Sequence, residues 1–298
     1  MNTLRLNPKY SDQERREAIY NGNLLLHTAS PAVTNLRNWA DELISEAFGA
    51  EPQKAQYDMA VEQFVTVAGP LKSKFTNHQK TKELIRDILK EFGCDLERTY
   101  FDVPRLRVVS SDGYLTAGVG YAYKAHRDSW YGAPDCQLNW WFPIYDLDVN
   151  QTMSMYTNYW AAPIQNSSDA YNHKEWIEVG RTLAASQITT DTRKHPLPTE
   201  KVDESGEMRI VSAAAEMLVF SGSYLHATAP NTSGKTRFSI DFRTISLDDL
   251  LARKGAPNVD CKASGLDVYL KDFLLASDFS PIADEYAAPY ADSARAAA

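Results

Sequence analysis

His126 and Asp128 stand two residues apart in His126-Arg127-Asp128; His226 follows a hundred residues later, and then Arg237 and Ser239 in Arg237-Phe238-Ser239. Two imidazoles and one carboxylate form the ligand set that holds a non-haem Fe(II) on one face and leaves the opposite face open. With neutral imidazoles the centre is singly positive and has three free positions, two for a chelating 2-oxo acid and one for O2. A planar guanidinium nearby matches a carboxylate bidentately, and a hydroxyl two residues on adds one hydrogen bond. Arg237 and Ser239 therefore suit the far carboxylate of a 2-oxo diacid whose near end chelates the metal.

These side chains need elements that aim them. On a strand, alternate residues face the same way, so His126 and Asp128 are predicted to point inward and Arg127 outward. His226 lies past the apolar run Met217-Leu218-Val219-Phe220 and a turn at Ser221-Gly222-Ser223. On the predicted strand Thr236–Ile245, Arg237, Ser239, Asp241 and Arg243 share one face, while Phe238, Ile240 and Phe242 share the other. Arg243 is a further candidate, for a substrate anion. Gln137, Asn139 and Trp141 alternate with Cys136, Leu138, Trp140 and Phe142. The polar set is the candidate substrate-lining face, although Trp140 and Trp141 also read as ordinary barrel core. Tyr121 and Tyr123 carry little weight, since their register is odd where that of His126 is even. His27, His78, His173 and His195 fall in helical, loop or insertion contexts and read as exposed or structural.

Around these residues the periodicity divides the chain. Residues 1–100 read mostly as helix, with Ser30-Pro31 opening one that Gly49 closes, a second from about Tyr57 to Ala68 stopped by Gly69-Pro70, and a third ended by Gly93. Short β-rich runs follow: Arg105–Ser110, Tyr114–Ala125, Gln137–Tyr145, Met153–Tyr159, Met208–Val211, Met217–Phe220 and Thr236–Ile245. Residues 161–198 form a polar, aromatic-rich insertion of the kind that serves as a functional loop or lid. Residues 251–298 read as a helical or irregular tail with a frayed Ala-rich end. The expectation is one domain over 1–298, a double-sheet roll across 100–250 backed by helices.

Bulk properties exclude other classes. The 298 residues are 44% hydrophobic and 23% charged, with a net charge of −8 and no dense basic run. Nucleic-acid and membrane-surface partners are thus not expected, and a small-molecule substrate is. No apolar run is long enough to span a membrane, and Met1–Leu6 has no signal-peptide core. Cys94, Cys136 and Cys261 have no metal-type spacing and read as reduced thiols, so the expected compartment is the cytoplasm. The Asn-x-Ser/Thr triplets at Asn150, Asn166 and Asn231 read as chance. His126-Arg127-Asp128 also spells the protein-kinase catalytic triplet. Ala133 stands where that motif needs Asn, and neither a Gly-rich phosphate loop nor Asp-Phe-Gly is present, which excludes a kinase.

Two segments carry a family resemblance. Ala215-Glu216-Met217-Leu218-Val219-Phe220-Ser221-Gly222-Ser223-Tyr224-Leu225-His226 with Ala227-Thr228-Ala229-Pro230-Asn231-Thr232-Ser233, and Pro143-Ile144-Tyr145-Asp146-Leu147-Asp148-Val149-Asn150, resemble the phytanoyl-CoA dioxygenase-type branch of the Fe(II)/2-oxoglutarate oxygenases. The match covers roughly residues 100 to 245. The resemblance implies a mainly β fold with flanking helices, built on a double-stranded β-helix (jelly-roll, cupin-like) core. It implies His126, Asp128 and His226 as iron ligands and Arg237, with Ser239, as the 2-oxoglutarate anchor. The cofactors would be Fe(II), 2-oxoglutarate and O2, and the activity oxidation of a C–H bond in a small organic substrate with 2-oxoglutarate decarboxylated to succinate. Hydroxylation is the default; desaturation and cyclisation use the same ligands. Where the family has Gly after Asn150, and further on Pro-Gly-Ser-His, this chain has Gln151-Thr152 and Tyr159-Trp160-Ala161-Ala162-Pro163. That departure falls on the substrate-side loop, not on the iron ligands. Related halogenases replace the carboxylate by a small residue, so an intact Asp128 disfavours halogenation. The alternatives are a non-oxidising metal- or ligand-binding protein of the same fold, which would have no use for Arg237-x-Ser239, and a protein-modifying hydroxylase.

Overall fold

Alternation along the strands of the second half sorts side chains onto two faces, and the computed structural model, which describes residues 3–291, turns that sorting into two facing sheets. The strands are β1 (Leu4–Leu6), β2 (Leu24–His27), β3 (Thr99–Asp102), β4 (Arg105–Val109), β5 (Leu138–Pro143), β6 (Met153–Tyr156), β7 (Glu207–Ile210), β8 (Met217–Ser221), β9 (His226–Thr228), β10 (Arg237–Ser246) and β11 (Phe273–Leu275). The larger sheet has the order β1-β2-β8-β5-β10-β3-β11, and the smaller one β7-β6-β9. β10 is the hub. One of its edges pairs with β5; the other pairs first with β4 and then with β3. β3 and β4 flank Val103-Pro104, where proline has no N–H to give the ladder.

The outward face of the larger sheet is apolar. Trp140, Phe142, Phe238, Ile240 and Phe242 are fully buried in one cluster with Val33, Leu36, Ile44, Ile85 and Leu89 of the helical layer. That layer contains α1 (Asp12–Tyr20), α2 (Pro31–Phe48), α3 (Val61–Asn77) and α4 (Gln79–Glu91). The inward face meets the smaller sheet, with Trp141, Leu218 and Phe220 packed among Met153, Met155 and Ile210. This is the β-rich double-sheet core with flanking helices that the sequence implies.

Several boundaries differ from expectation. The first hundred residues also hold β1 and β2, a parallel pair added to the sheet edge through β8, so His27 is a strand residue. α1 opens on a capping box of Ser11 and Glu14 that the periodicity did not flag. The second expected helix starts at Val61 and runs straight through Gly69-Pro70. Phe64, Ala68, Leu71 and Phe75 form a buried stripe across the proline, and this burial outweighs the one backbone bond proline forfeits.

Tyr114–Ala125 is not a strand. It is coil with one tight turn at Gly118–Gly120, because Thr116 and Ala117 donate their N–H groups to the Ile188 carbonyl of the insertion, at 3.1 Å each. Gly118 (φ +60°) sits where a Cβ would collide with the Ala184 and Gln187 carbonyls, so only glycine admits this approach. The tail is more ordered than expected. It supplies helices Leu266–Leu270 and Asp284–Ala287 and pairs β11 with β3; its Ala-rich end at 292–298 lies outside the described residues. Asn166 and Asn231 are buried and bonded to backbone carbonyls, which explains two of the three Asn triplets as structural. All three cysteines are free and buried. No helix among the described residues is long and apolar enough to cross a membrane.

Candidate metal centre

Backbone bonds bring the two distant ligand segments together. His126 N–H donates to the His226 carbonyl at 2.9 Å, and His226 N–H returns the bond at 3.0 Å. Asp128 N–H then donates to the Gly222 carbonyl at 2.8 Å, in the turn between β8 and β9. A Cβ on Gly222 would stand 2.9 Å from the Gln137 amide nitrogen, so a larger residue there would push that side chain from its place beside Asp128. His126, Asp128 and His226 are all buried, with ligand atoms within 4.8 Å of one another. No other His/Cys/Asp/Glu group of this kind occurs among the described residues.

The outer partners fix which atoms face the centre. His126 Nδ1 lies 2.8 Å from the Lys124 carbonyl and His226 Nδ1 lies 2.9 Å from the Tyr224 carbonyl. A carbonyl only accepts, so Nδ1 carries the proton in each ring and Nε2 keeps its lone pair for a metal. Burial, with His126 alongside, lowers His226 to about 4, and the ring is neutral at ordinary pH.

Asp128 is similarly constrained. Its Oδ1 stands 3.4 Å from His126 Nε2. Its Oδ2 accepts from Gln137 Nε2 at 3.0 Å and Asn139 Nδ2 at 2.8 Å, with Arg243 Nε at 3.4 Å. Burial alone would raise this carboxyl; Arg243 and the two imidazoles outweigh it and hold the group well below its ordinary range. Tyr269 donates to Gln137 Oε1 at 2.8 Å, which fixes the amide so that its nitrogen faces Asp128. With Oδ2 occupied, Oδ1 is the oxygen left for a metal.

Gln137 therefore differs from the expectation of substrate contact. Gln137 does not reach the cavity; it lies under Asp128, and its register, shared with Asn139, carries it to that carboxylate. Arg243 is on the cavity wall, but it is engaged by Asp102, Asp128 and Asp241. Asn139 and Trp141 do line the cavity. Asn139→Ala is expected to weaken Fe(II) binding about 10–100-fold by freeing Asp128; equal affinity in an iron titration would show that the amide orients nothing.

Arg237 is 3% exposed and lines the same cavity, which has a volume of about 230 Å3. Its Nη1 donates to the Gln151 and Thr152 carbonyls at 3.2 Å each, its guanidinium stands 5.8 Å from the Trp141 ring, and its Nε has no partner. No carboxylate pairs with it among the described residues. Burial, and then Arg107, lower it to about 10, with Asp241 offsetting only part of the loss. Ser239 faces the same way but is completely buried; its hydroxyl also has no partner.

The remaining wall is aromatic and comes from segments that sequence reasoning passed over. Tyr121 and Tyr123 both line the cavity, against their assigned register, because their segment is coil and obeys no strand parity. The insertion adds Tyr171, His173 and Trp176, and the tail adds Tyr269. His173 is buried and burial lowers it to about 4; His195 is also held down to about 4, stacked on Tyr121 at 4.3 Å. Arg127, between the two ligands, is buried rather than exposed. It holds Asp260 at 3.0 Å and the Ser223, Tyr159 and Ala162 carbonyls, tying the flanking loops to the ligand segment.

Comparison with known protein families and with curated proteins finds no match. Among solved structures the chain is similar to EvdO2 from Micromonospora carbonacea var. aurantiaca complexed with 2-oxoglutarate, at 13% identity over 81% of this chain and 93% of that one, with a TM-score of 0.46. It is also similar to the epimerase SnoN in complex with Fe3+, alpha ketoglutarate and nogalamycin RO, at 11% identity over 79% and 85% with a TM-score of 0.42. The apo non-heme monooxygenase ThoJ is 13% identical over 72% and 70%, with a TM-score of 0.38. Likenesses of that size decide neither fold nor chemistry for this chain, which rest on the two sheets and the buried triad between them.

Proposed function

We propose that this chain is an Fe(II)- and 2-oxoglutarate-dependent oxygenase that oxidises a C–H bond of a small organic substrate. The observation that carries this is the pairing of a preset two-histidine, one-carboxylate triad with a buried arginine in the same cavity that forms no ion pair among the described residues and whose Nε has no partner. His126 and His226 would hold the metal through Nε2, and Asp128 through Oδ1. Arg237 would take the far carboxylate of 2-oxoglutarate, its free Nε suiting a bidentate contact, with the Ser239 hydroxyl beside it. Fe(II) with a chelated 2-oxo acid and O2 supplies the oxidising power for an unactivated C–H bond, leaving succinate and CO2. The chain's own part is positioning and exclusion. Asn139, Gln137 and Arg243 keep Asp128 in one orientation, and the insertion's aromatic side chains screen the cavity from water.

Hydroxylation is the reaction this site suits by default, with desaturation or cyclisation open to the same ligands. A non-oxidising binder of the same fold would gain nothing from a desolvated Arg237. An anaerobic optical titration with Fe(II) and then 2-oxoglutarate tests the reading. A visible charge-transfer band is the expected result; a folded protein that holds iron but gives no band with 2-oxoglutarate would sink it.

A further inference from the structure

Beside the metal cavity lies a second one, of about 270 Å3. The two share Arg105, Arg107, Val109, Tyr121 and Tyr123 as a common wall. Its other side is one face of α3, where Gly69, Lys72 and Thr76 recur at helical spacing, and Arg193 of the insertion closes it. Four cations thus surround this space, and no carboxylate lines it among the described residues.

The charge is only partly balanced from behind. Arg107 pairs with Asp241 at 2.5 and 2.9 Å, Arg193 with Asp191 at 2.5 Å, and Arg105 with Asp102. Asp241 and Asp102 also serve Arg243, so neither is given wholly to this cavity. Lys72 has no carboxylate partner among the described residues. Its ammonium donates to the Val119 carbonyl at 2.5 Å, a bond that an uncharged donor could make. Burial, and then Arg107 and Arg193, pull it down to about 7. A cation set against two others in a cavity is costly unless an anion joins them.

Gly69 adds an independent mark. Glycine weakens a helix interior, and nothing lies within 4 Å of where its Cβ would be, so close packing does not require it. What it leaves is room in the cavity.

We propose that this second cavity seats an anionic group of the substrate, a carboxylate or a phosphate ester, so that the substrate is an organic anion reaching past Tyr121 and Tyr123 to present its oxidised carbon at the metal. This rests on the oxygenase reading. It is distinct from the Arg237 site, since Arg237 does not line the second cavity.

Calorimetric titration at low salt, with inorganic phosphate and with propionate as probes, tests it on the whole chain. Each sample is also titrated with 2-oxoglutarate in the presence of Ni(II), a redox-silent stand-in for Fe(II). One equivalent of at least one probe is expected to bind the wild-type protein. Lys72→Gln should weaken it about tenfold, the worth of one charge-assisted hydrogen bond. Gly69→Phe should abolish it by filling the space, and Lys72→Arg should keep it. All three variants should melt with the wild type and take up Ni(II) and 2-oxoglutarate unchanged. Binding of phosphate alone supports a phosphate ester, and of propionate alone a carboxylate. Absence of both probes from the wild type, or wild-type affinity in both Lys72→Gln and Gly69→Phe, would overturn the proposal. If the wild type binds a probe but takes up no 2-oxoglutarate with Ni(II), it is the oxygenase reading that fails, and the assignment to a substrate with it.

Discussion

His226→Ala is expected to remove Fe(II) uptake and turnover together while leaving the protein folded. The side chain supplies one of three ligand atoms, so its loss should exceed the about 10–100-fold that an outer partner of a ligand costs in affinity. The backbone is a separate matter. The reciprocal bonds between residues 126 and 226 use main-chain groups, which alanine keeps, and β9 still pairs with β6 through Met155 and His226. Circular dichroism and melting temperature should therefore stay near those of the wild type while an iron titration goes flat. His126→Ala should behave alike. A variant that kept iron would remove that histidine from the ligand set, and one that lost iron but still turned over would remove the metal from the mechanism.

Arg237→Ala should leave iron binding alone and raise the 2-oxoglutarate concentration needed for half-maximal turnover by about 30-fold or more. The magnitude follows from truncating one partner of a buried, hydrogen-bonded charge pair, which costs about 2–5 kcal/mol. Arg237→Lys should recover only part of this, because an ammonium is a point charge and cannot make the two parallel bonds of a guanidinium. Turnover at saturating 2-oxoglutarate should change far less than the half-saturation value. Unchanged co-substrate affinity in the alanine variant would show that the free Nε of Arg237 faces no anion.

The arginine was legible because strand parity is a strong constraint, whereas the triad was legible from residue types and spacing alone, since His126 is an isolated bridge and Asp128 opens a tight turn rather than lying on the expected strand. On β10 the alternation of Arg237, Ser239, Asp241 and Arg243 with Phe238, Ile240 and Phe242 could be resolved in only one way with an apolar helical layer behind the sheet. The same parity put Asn139 and Trp141 on the inner face. It could not tell that Gln137 and Arg243 turn to Asp128, since hydrogen-bond partners across a fold leave no local mark. Parity misled at Tyr123, whose carbonyl accepts from the Thr228 N–H while Thr116 and Ala117 earlier in the segment bond to the insertion, so no strand forms. Arg105 and Arg107 did leave a signal, cations alternating with Leu106 and Val108 in a buried strand, and it was passed over. Tyr269 left none, because a lone aromatic in a loop-rich tail is indistinguishable from core. Gly69-Pro70 read as a stop signal because propensity is local, whereas the stripe from Phe64 to Phe75 is held by the tertiary core.

The position of β10 in the larger sheet bears on how the protein is made. β5 and the β3–β4 path have no bonds to each other; β10 lies between them and completes both. On the ribosome, the strands at 99–109 and 138–143 emerge long before residue 237 and must wait with open edges. Those edges carry Leu106, Val108, Trp140 and Phe142, the kind of apolar strand that joins a neighbouring chain when its own partner is late. A message cut short before Arg237 would thus give an aggregating product rather than a weaker enzyme, and chaperone demand should fall sharply once β10 has been released.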